Sequence, residues 1–315
     1  MGLIKKPNEL NVQTKIKMLI FGQAGMGKTT LALSAPNPLL IDFDNGVNRV
    51  NYAHIKDTVQ IEKYEDILVL LNQEDLSPYD TLVIDTGGNM LDAMTSYIIK
   101  QNPKMGRSNG MLTQSGYGQR KAEFTNLVRM IEDKKKDVVF VAHRQSTMDG
   151  EETRYIPQFG GSNYDALVTE LDLVGYLEAY GNKRTITFEP TSRNEGKNTC
   201  NLPPVMEVPV IVDQAGNCIA DNNFLETQVF KFYRERLIER SVEGEAYKSL
   251  MASIEESIAK VNDADSANKF VAEIDKYKHI GNSRVLAVNK MHEKCIKQLG
   301  LTFVQKDKKY VAKAD

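Results

Sequence analysis

The stretch Gly22-Gln23-Ala24-Gly25-Met26-Gly27-Lys28-Thr29 reads G-x-x-x-x-G-K-T. No other feature constrains the fold as much, because this pattern works only between a strand and a helix. Both flanks fit. Met18-Leu19-Ile20-Phe21 is an apolar run of strand type, and Thr30-Leu31-Ala32-Leu33-Ser34 suits a helix. Glycines let backbone N–H groups turn around phosphate oxygens with no side chain in the way. The helix start adds partial positive charge. Lys28 is placed to reach β- and γ-phosphates. The Thr29 hydroxyl is placed to ligate Mg²⁺, ranking ahead of Thr30. Gly22 through Thr30 is therefore the expected nucleotide-binding segment of an α/β protein.

Three further strands end in groups suited to the same chemistry. Pro38-Leu39-Leu40-Ile41-Asp42-Phe43-Asp44 carries two carboxylates at its carboxyl end, where open α/β sheets place their sites. Asp44 is the first candidate to orient or deprotonate a water attacking the γ-phosphate. Asp42, two positions earlier, is its competitor. A carboxylate capping the next turn is the plainer role for Asp44. Tyr79-Asp80-Thr81-Leu82-Val83-Ile84-Asp85-Thr86 is an apolar strand ending in Asp. After a phosphate loop it reads as the second nucleotide signature, with Asp85 holding Mg²⁺. Asp137-Val138-Val139-Phe140-Val141-Ala142-His143 ends in an imidazole that can donate to phosphate or water. A purely structural histidine is the competing reading.

Between and beyond these strands the pattern is mixed. Residues 62–76, 87–100 and 119–133 read as helices, the last with Phe124, Leu127, Val128 and Ile131 as its buried stripe. Gln101 to Gln119 reads as a long Gly-rich loop carrying Lys104, Arg107 and Tyr117. Tyr117 fits a base-stacking role or a helix-anchoring one. Residues 144–163 read as a polar loop with Arg144, Arg154, Tyr155, Phe159 and Gly160-Gly161. Leu171–Ala179 and Arg184–Glu189 read as strands joined by a turn at Tyr180-Gly181-Asn182-Lys183. Just beyond, Arg193 and Lys197 are candidates for a basic finger reaching a neighbour's nucleotide, or for a solvated turn.

This gives four expected segments: a tail over 1–16, an ATPase core over 17–200, a Pro-containing linker over 201–224 and a helical module over 225–315. Ser266 or Asp265 is the expected cap of one module helix. The tail reads equally as a docking arm or as disorder. No apolar run approaches a bilayer span, and the start lacks a signal-peptide pattern, so no membrane is expected. Cys200, Cys218 and Cys295 show neither metal spacing nor a disulfide framework, which points to a reducing cytoplasm. The four histidines are dispersed and make no zinc pattern. Formal net charge is −2, so any nucleic-acid footprint must be local.

In order, these strand ends and the closing hairpin resemble RecA-like ATPases. More closely, the chain resembles the phage-encoded RecA-core ATPases associated with single-strand annealing. That closer likeness rests on Gly116-Tyr117-Gly118-Gln119, the 138–143 strand, Tyr155-Ile156-Pro157, Asp172-Leu173-Val174-Gly175 and the Arg184–Lys197 stretch, and it spans roughly residues 15–210. It implies a RecA-like P-loop NTPase core with a mainly parallel sheet flanked by helices, plus the C-terminal helical module. It implies Asp44 as catalytic carboxylate where RecA has glutamate, and His143 as sensor where RecA has glutamine. It also implies DNA-contacting loops near 101–119 and 145–163, a bacterial host's cytoplasm, and ATP at the interfaces of a homo-oligomer completed by Arg193 or Lys197. The expected function is an ATP- and Mg²⁺-dependent ATPase that binds single-stranded DNA and promotes annealing or strand exchange. A nucleotide-gated switch or assembly factor contacting protein is the alternative. A small-molecule kinase ranks lower, since no lid-like arginine cluster is present.

Overall fold

The computed structural model describes residues 15–160, 167–181, 183–280 and 283–312. The chain divides into two compact units, with the break between Glu235 and Arg236. The expected 1–16 tail lies almost wholly outside the described residues, as do Gly161 to Asn163 of the expected second loop and Asn182 of the expected turn.

The larger unit is built on one sheet. Its strands are β1 (Lys17–Gly22), β2 (Pro38–Asp42), β3 (Thr58–Gln60), β4 (Thr81–Asp85), β5 (Asp137–Asp149), β6 (Glu152–Pro157), β7 (Leu173–Tyr180), β8 (Lys183–Thr187), β9 (Lys197–Asn198) and β10 (Val205–Val208). The spatial order is β10-β8-β7-β1-β5-β4-β2-β3, with β6 on β5 and β9 on β7. From β7 across to β3 every neighbour runs parallel. β8 and β10 close the other edge antiparallel. The central strands are apolar on both faces, as a sheet covered on both sides requires. Helices α1 (Lys28–Ala32), α2 (Tyr64–Gln73), α3 (Gly87–Gln101) and α4 (Gln114–Asp133) accompany the sheet. This is the RecA-like P-loop arrangement, with one strand, β5, inserted between the phosphate-loop strand and the Asp85 strand.

Three segments differ from the sequence reading. Arg144 to Pro157 is not a loop: β5 runs on to Asp149 and folds back as β6, pairing Arg144 with Pro157 and Asp149 with Glu152. Phe159 is no surface residue either. It is fully buried, and its ring fills the space a Cβ on Gly87 would take, 1.8 Å from that position. Phe124 and Phe140 meet it edge-on at 5.8 and 5.9 Å. The Gln101–Gln119 loop is shorter than expected. α3 reaches Gln101, a 3₁₀ turn spans Pro103–Met105, and the Thr113 hydroxyl accepts the Gly116 N–H to start α4. Tyr117 therefore sits in the first turns of a helix. The expected linker supplies β10, whose flanking prolines suit an edge strand.

α1 is only five residues long, and Ser34 just beyond it anchors the segment that follows the sheet. Its hydroxyl accepts the Leu225 N–H at 3.0 Å and donates to the Leu31 carbonyl at 2.6 Å, fully shielded from water. Ser34→Ala leaves the Leu225 donor without that acceptor. The variant is expected to lose about 1–3 kcal/mol of stability, read as a shift of the urea midpoint at unchanged slope. An unmoved midpoint would show that this anchor carries no weight. Deeper in the unit, Asp137 at the start of β5 is completely buried. It accepts the Ile16 N–H at 2.9 Å and pairs with the Arg234 guanidinium.

The smaller unit takes helix α5 (Lys231–Ala259) from Arg236 onward, then α6 (Ala264–Glu273), α7 (Ser283–Glu293) and an antiparallel hairpin of β11 (Leu301–Val304) and β12 (Lys309–Ala312). Ile254, Ile258, Phe270, Ile274, Met291 and Cys295 form its core. Asp263, not Ser266 or Asp265, caps α6: its carboxylate accepts the Ser266 N–H at 2.8 Å while the Ser266 hydroxyl reaches back, a capping box.

Candidate nucleotide site

The sheet register sets the site. Gly22 at the end of β1 lies beside His143 on one side and Leu177 on the other. A Cβ on Gly22 would come within 2.3 Å of the Leu177 carbonyl oxygen, so the close approach of β1 to β7 requires glycine. Gly25 and Gly27 both take left-handed backbone, at φ 78° and 85°, which turns the loop around a concave opening. Asp42 and Asp85 are level across β2 and β4, and Asp85 is level with Val141. Ala24, Gly25, Gly27, Thr29, Asp44 and His143, with Lys28 and Asp85, thus line one cavity of about 230 Å³.

Inside it the two carboxylates of β2 divide their labour. Asp42 is the capping group. Its Oδ1 accepts from the N–H groups of Asp44 and Gly46 at 3.2 and 3.1 Å, and its Oδ2 from Val47 at 3.0 Å. That leaves Asp44 at the cavity wall. One of its oxygens, Oδ1, is buried with no hydrogen-bond partner, and the other stands 3.5 Å from the Arg49 guanidinium. Arg49 and the capped turn of Gly46–Arg49 carried no signal in the sequence beyond the Asn45-Gly46 turn pair.

Thr29 donates its hydroxyl to Asp85 Oδ2 at 2.5 Å. Lys28 is 6% exposed and its ammonium donates to the Gln23 carbonyl at 2.9 Å. Burial pushes the Lys28 ammonium below its usual range, against the pull of Asp85 and Asp44. Burial also drives the Asp85 carboxyl up to about 6, helped by Asp44 and Asp42 and opposed by Thr29 and Lys28. Asp44 rises for the same first reason, with Asp42 beside it as the second. Burial, then the Lys28 charge, holds the His143 imidazole below its ordinary value, so the ring is neutral at pH 7. The carboxylates of Asp42, Asp44 and Asp85 thus crowd one another at the site, which favours protonation or a nearby positive charge.

The donor set fits Mg²⁺, which takes hard oxygens and keeps waters and phosphate among its ligands. A hydroxyl and a carboxylate already face each other at Thr29 and Asp85, and Asp44 offers a bare oxygen. Among the described residues no three acidic, imidazole or thiol groups make a complete cage, and a nucleotide would supply the remaining ligands.

The basic candidates lie elsewhere. Arg144 donates to Gln23 Oε1 at 3.0 Å and to the Tyr176 hydroxyl at 2.6 Å, and its guanidinium stacks on Tyr155 at 4.1 Å. Arg154 pairs with Glu195 at 3.2 Å. Arg193 is exposed, 5.5 Å from the Tyr155 ring centre. Lys197 donates to the carbonyls of Val168 and Thr169 at 2.9 and 3.2 Å. None of these four lines the cavity. Lys104 and Arg107 are exposed at the α3–α4 junction.

Solved structures similar to part of the chain include two archaeal proteins. The flagellar accessory protein FlaH from Methanocaldococcus jannaschii is 9% identical over 61% of this chain and 84% of its own, at a TM-score of 0.35. A KaiC-like protein from Pyrococcus horikoshii OT3 is 11% identical over 62% and 89%, also at 0.35. No curated protein matches the sequence. The AAA domain family AAA_24 matches residues 14–200, well over half of the chain and the whole span from β1 to β9. A glycine loop, the carboxylates of Asp44 and Asp85 and the His143 imidazole surround one opening within the matched span, and the chain belongs to the AAA domain family.

Proposed function

We propose that the protein is a Mg²⁺-dependent ATP hydrolase whose turnover is coupled to single-stranded DNA, acting in annealing or strand exchange. The observation that carries the hydrolase half is Asp44 Oδ1, a buried carboxylate oxygen with no partner, on the wall of the cavity that Lys28, Thr29 and Asp85 share. Thr29 and Asp85 would hold the metal, and Mg²⁺ supplies neutralisation of the phosphate oxygens. Lys28 adds a second positive charge to the transferred group. Asp44 takes the proton of the attacking water, for which its raised pKa suits it. Neutral His143 donates one hydrogen bond to water or phosphate without adding charge. Of the two finger candidates Arg193 is the better placed, because Lys197 is held by two carbonyls of its own chain. In this reading ATP sits at the interface of a homo-oligomer.

The DNA half rests on the resemblance and on Lys104 and Arg107, exposed next to a helix whose Tyr117 carries the Arg120 guanidinium at 5.1 Å. Lys104→Ala with Arg107→Ala is expected to weaken single-strand binding. The change should flatten the log–log salt slope by about 1.4, at ~0.7 per phosphate contact. An unaltered slope removes this surface from the interface. The second reading, a nucleotide-gated switch contacting protein, is favoured by the net charge of −2 and by the internal partners of Arg144 and Arg154. ATP turnover measured with and without single-stranded DNA separates the two: stimulation supports the first, indifference the second.

A further inference from the structure

Gln23, the second residue of the glycine loop, is held from two sides. Its carbonyl oxygen accepts the Lys28 ammonium at 2.9 Å, and its side-chain Oε1 accepts the Arg144 guanidinium at 3.0 Å. Arginine has no acceptor, so the second bond also fixes which way the Gln23 amide faces. A triphosphate would treat the two bonds differently. An ammonium drawn to phosphate oxygens leaves the carbonyl. Neither Gln23 nor Arg144 lines the phosphate cavity, so the side-chain bond lies outside the space the phosphates take.

Arg144 is in turn fixed by groups on other strands. Its guanidinium lies 4.1 Å from the centre of the Tyr155 ring on β6, and its Nη1 donates to the Tyr176 hydroxyl on β7 at 2.6 Å. Those two rings stack on each other, 5.8 Å apart and 16° from parallel. Tyr176 is buried and packs against Phe21 of β1 at 5.0 Å. The Tyr155 N–H donates to the Arg193 carbonyl at 2.7 Å, and its own carbonyl accepts the Glu195 N–H at 3.1 Å. These neighbours already remove the rotamer freedom that an arginine gives up on bonding, and they leave Nη2 aimed at the loop. The loop is the soft partner. Gln23, Ala24 and Gly25 are exposed, and a chain with this much glycine has many shapes to lose when it closes on a ligand.

We propose that Arg144 is a positioning residue. Acting through Gln23, it holds the entry of the glycine loop in its phosphate-ready shape, both before nucleotide arrives and after Lys28 has left the Gln23 carbonyl. The proposal rests on the ATP hydrolase reading of the phosphate cavity and adds a residue that touches neither phosphate nor metal. A tie of this kind serves the bound substrate and the transition state equally. Its loss therefore shows in KM and spares kcat.

The test is a double-variant cycle read in steady-state ATP turnover of the full chain with Mg²⁺. Arg144→Met removes the donor and Gln23→Leu the acceptor. Each is expected to raise KM by about tenfold, the weight of one hydrogen bond to a charged group partly open to water. In each, kcat should stay within about twofold. Because both remove the same bond, the double variant should show no more than either single one. A combined loss of about a hundredfold would mean two independent effects and overturns the tie. So does a KM that neither variant moves, or a loss confined to kcat. Arg144→Lys keeps the charge without the planar fork and is expected to match Arg144→Met; full recovery by lysine overturns the positional account. Should Arg144→Met fail to fold, Gln23→Leu decides alone, since it leaves Tyr155 and Tyr176 their arginine. Absence of ATP turnover in the unaltered protein overturns the hydrolase reading itself, and the proposal with it.

Discussion

Lys28→Ala is expected to lower ATP turnover by about a hundredfold to a thousandfold, the usual cost of removing one preorganised group that faces developing charge. Among the described residues lining the phosphate cavity the other permanent cation is Arg49, and its side chain is 69% exposed and turned to Asp44. It cannot replace an ammonium that is 6% exposed and sits inside the glycine loop. The fold should survive the change, because Lys28 makes its hydrogen bond to one loop carbonyl and burial already penalises its charge. Steady-state turnover beside a thermal melt checks both halves. Full turnover in a folded Lys28→Ala protein would remove the site assignment.

The second large effect comes from Asp85, and its sign differs between activity and stability. Asp85→Asn is expected to abolish Mg²⁺-dependent nucleotide binding, since the metal loses its carboxylate. The same change should raise the stability of the nucleotide-free protein. Folding lifts this carboxyl from 3.8 to about 6, so the native state favours the protonated form. The associated stability is complete below about pH 4 and is lost as pH rises through 6. At pH 7.5 the ionised group therefore costs on the order of 3 kcal/mol. Asparagine removes that cost and still accepts from Thr29. For a unit of this size the gain corresponds to roughly 5–10 °C in Tm. Unaltered protein should also melt higher as pH is lowered from 7.5 to 5, and Asp85→Asn should lose most of that climb. A remainder is expected from Asp44, which is shifted the same way. An Asp85→Asn protein that melts lower at pH 7.5 would refute the account of the crowded carboxylates.

How far the sequence carried depended on how local the cause was. The glycine loop, the Asp85 strand and the His143 strand are each written in consecutive residues, and the structure brings them to one opening. Alternation does not separate Asp42 from Asp44, which are two positions apart; the structure does, because β2 ends at Asp42 and Asp44 lies beyond it. That Asp42 alone would take three backbone donors, and so leave Asp44 bare, depended on a turn no motif describes. The β5–β6 hairpin escaped because its arms, exposed or half-buried up to Pro157, show no apolar alternation. One signal was present: Gly150-Glu151 is a two-residue turn with glycine at its first position, and Gly150 takes φ 64°. β10 escaped because Pro203, Pro204 and Pro209 suggested a connector, whereas an edge strand tolerates them at its ends. The bond from the Asn51 amide to the Gly216 carbonyl could not be read at all, since the two are 165 positions apart.

β5 runs without interruption from the buried Asp137, past His143, out to Asp149. The imidazole lining the cavity and the β5–β6 ribbon thus belong to one continuous strand. Arg144, the very next residue, ties that piece to Gln23 of the glycine loop. The turn of the ribbon and the ring are six strand residues apart, about 20 Å at ~3.3 Å per residue, with Arg144 and Gln23 bonded beside the ring.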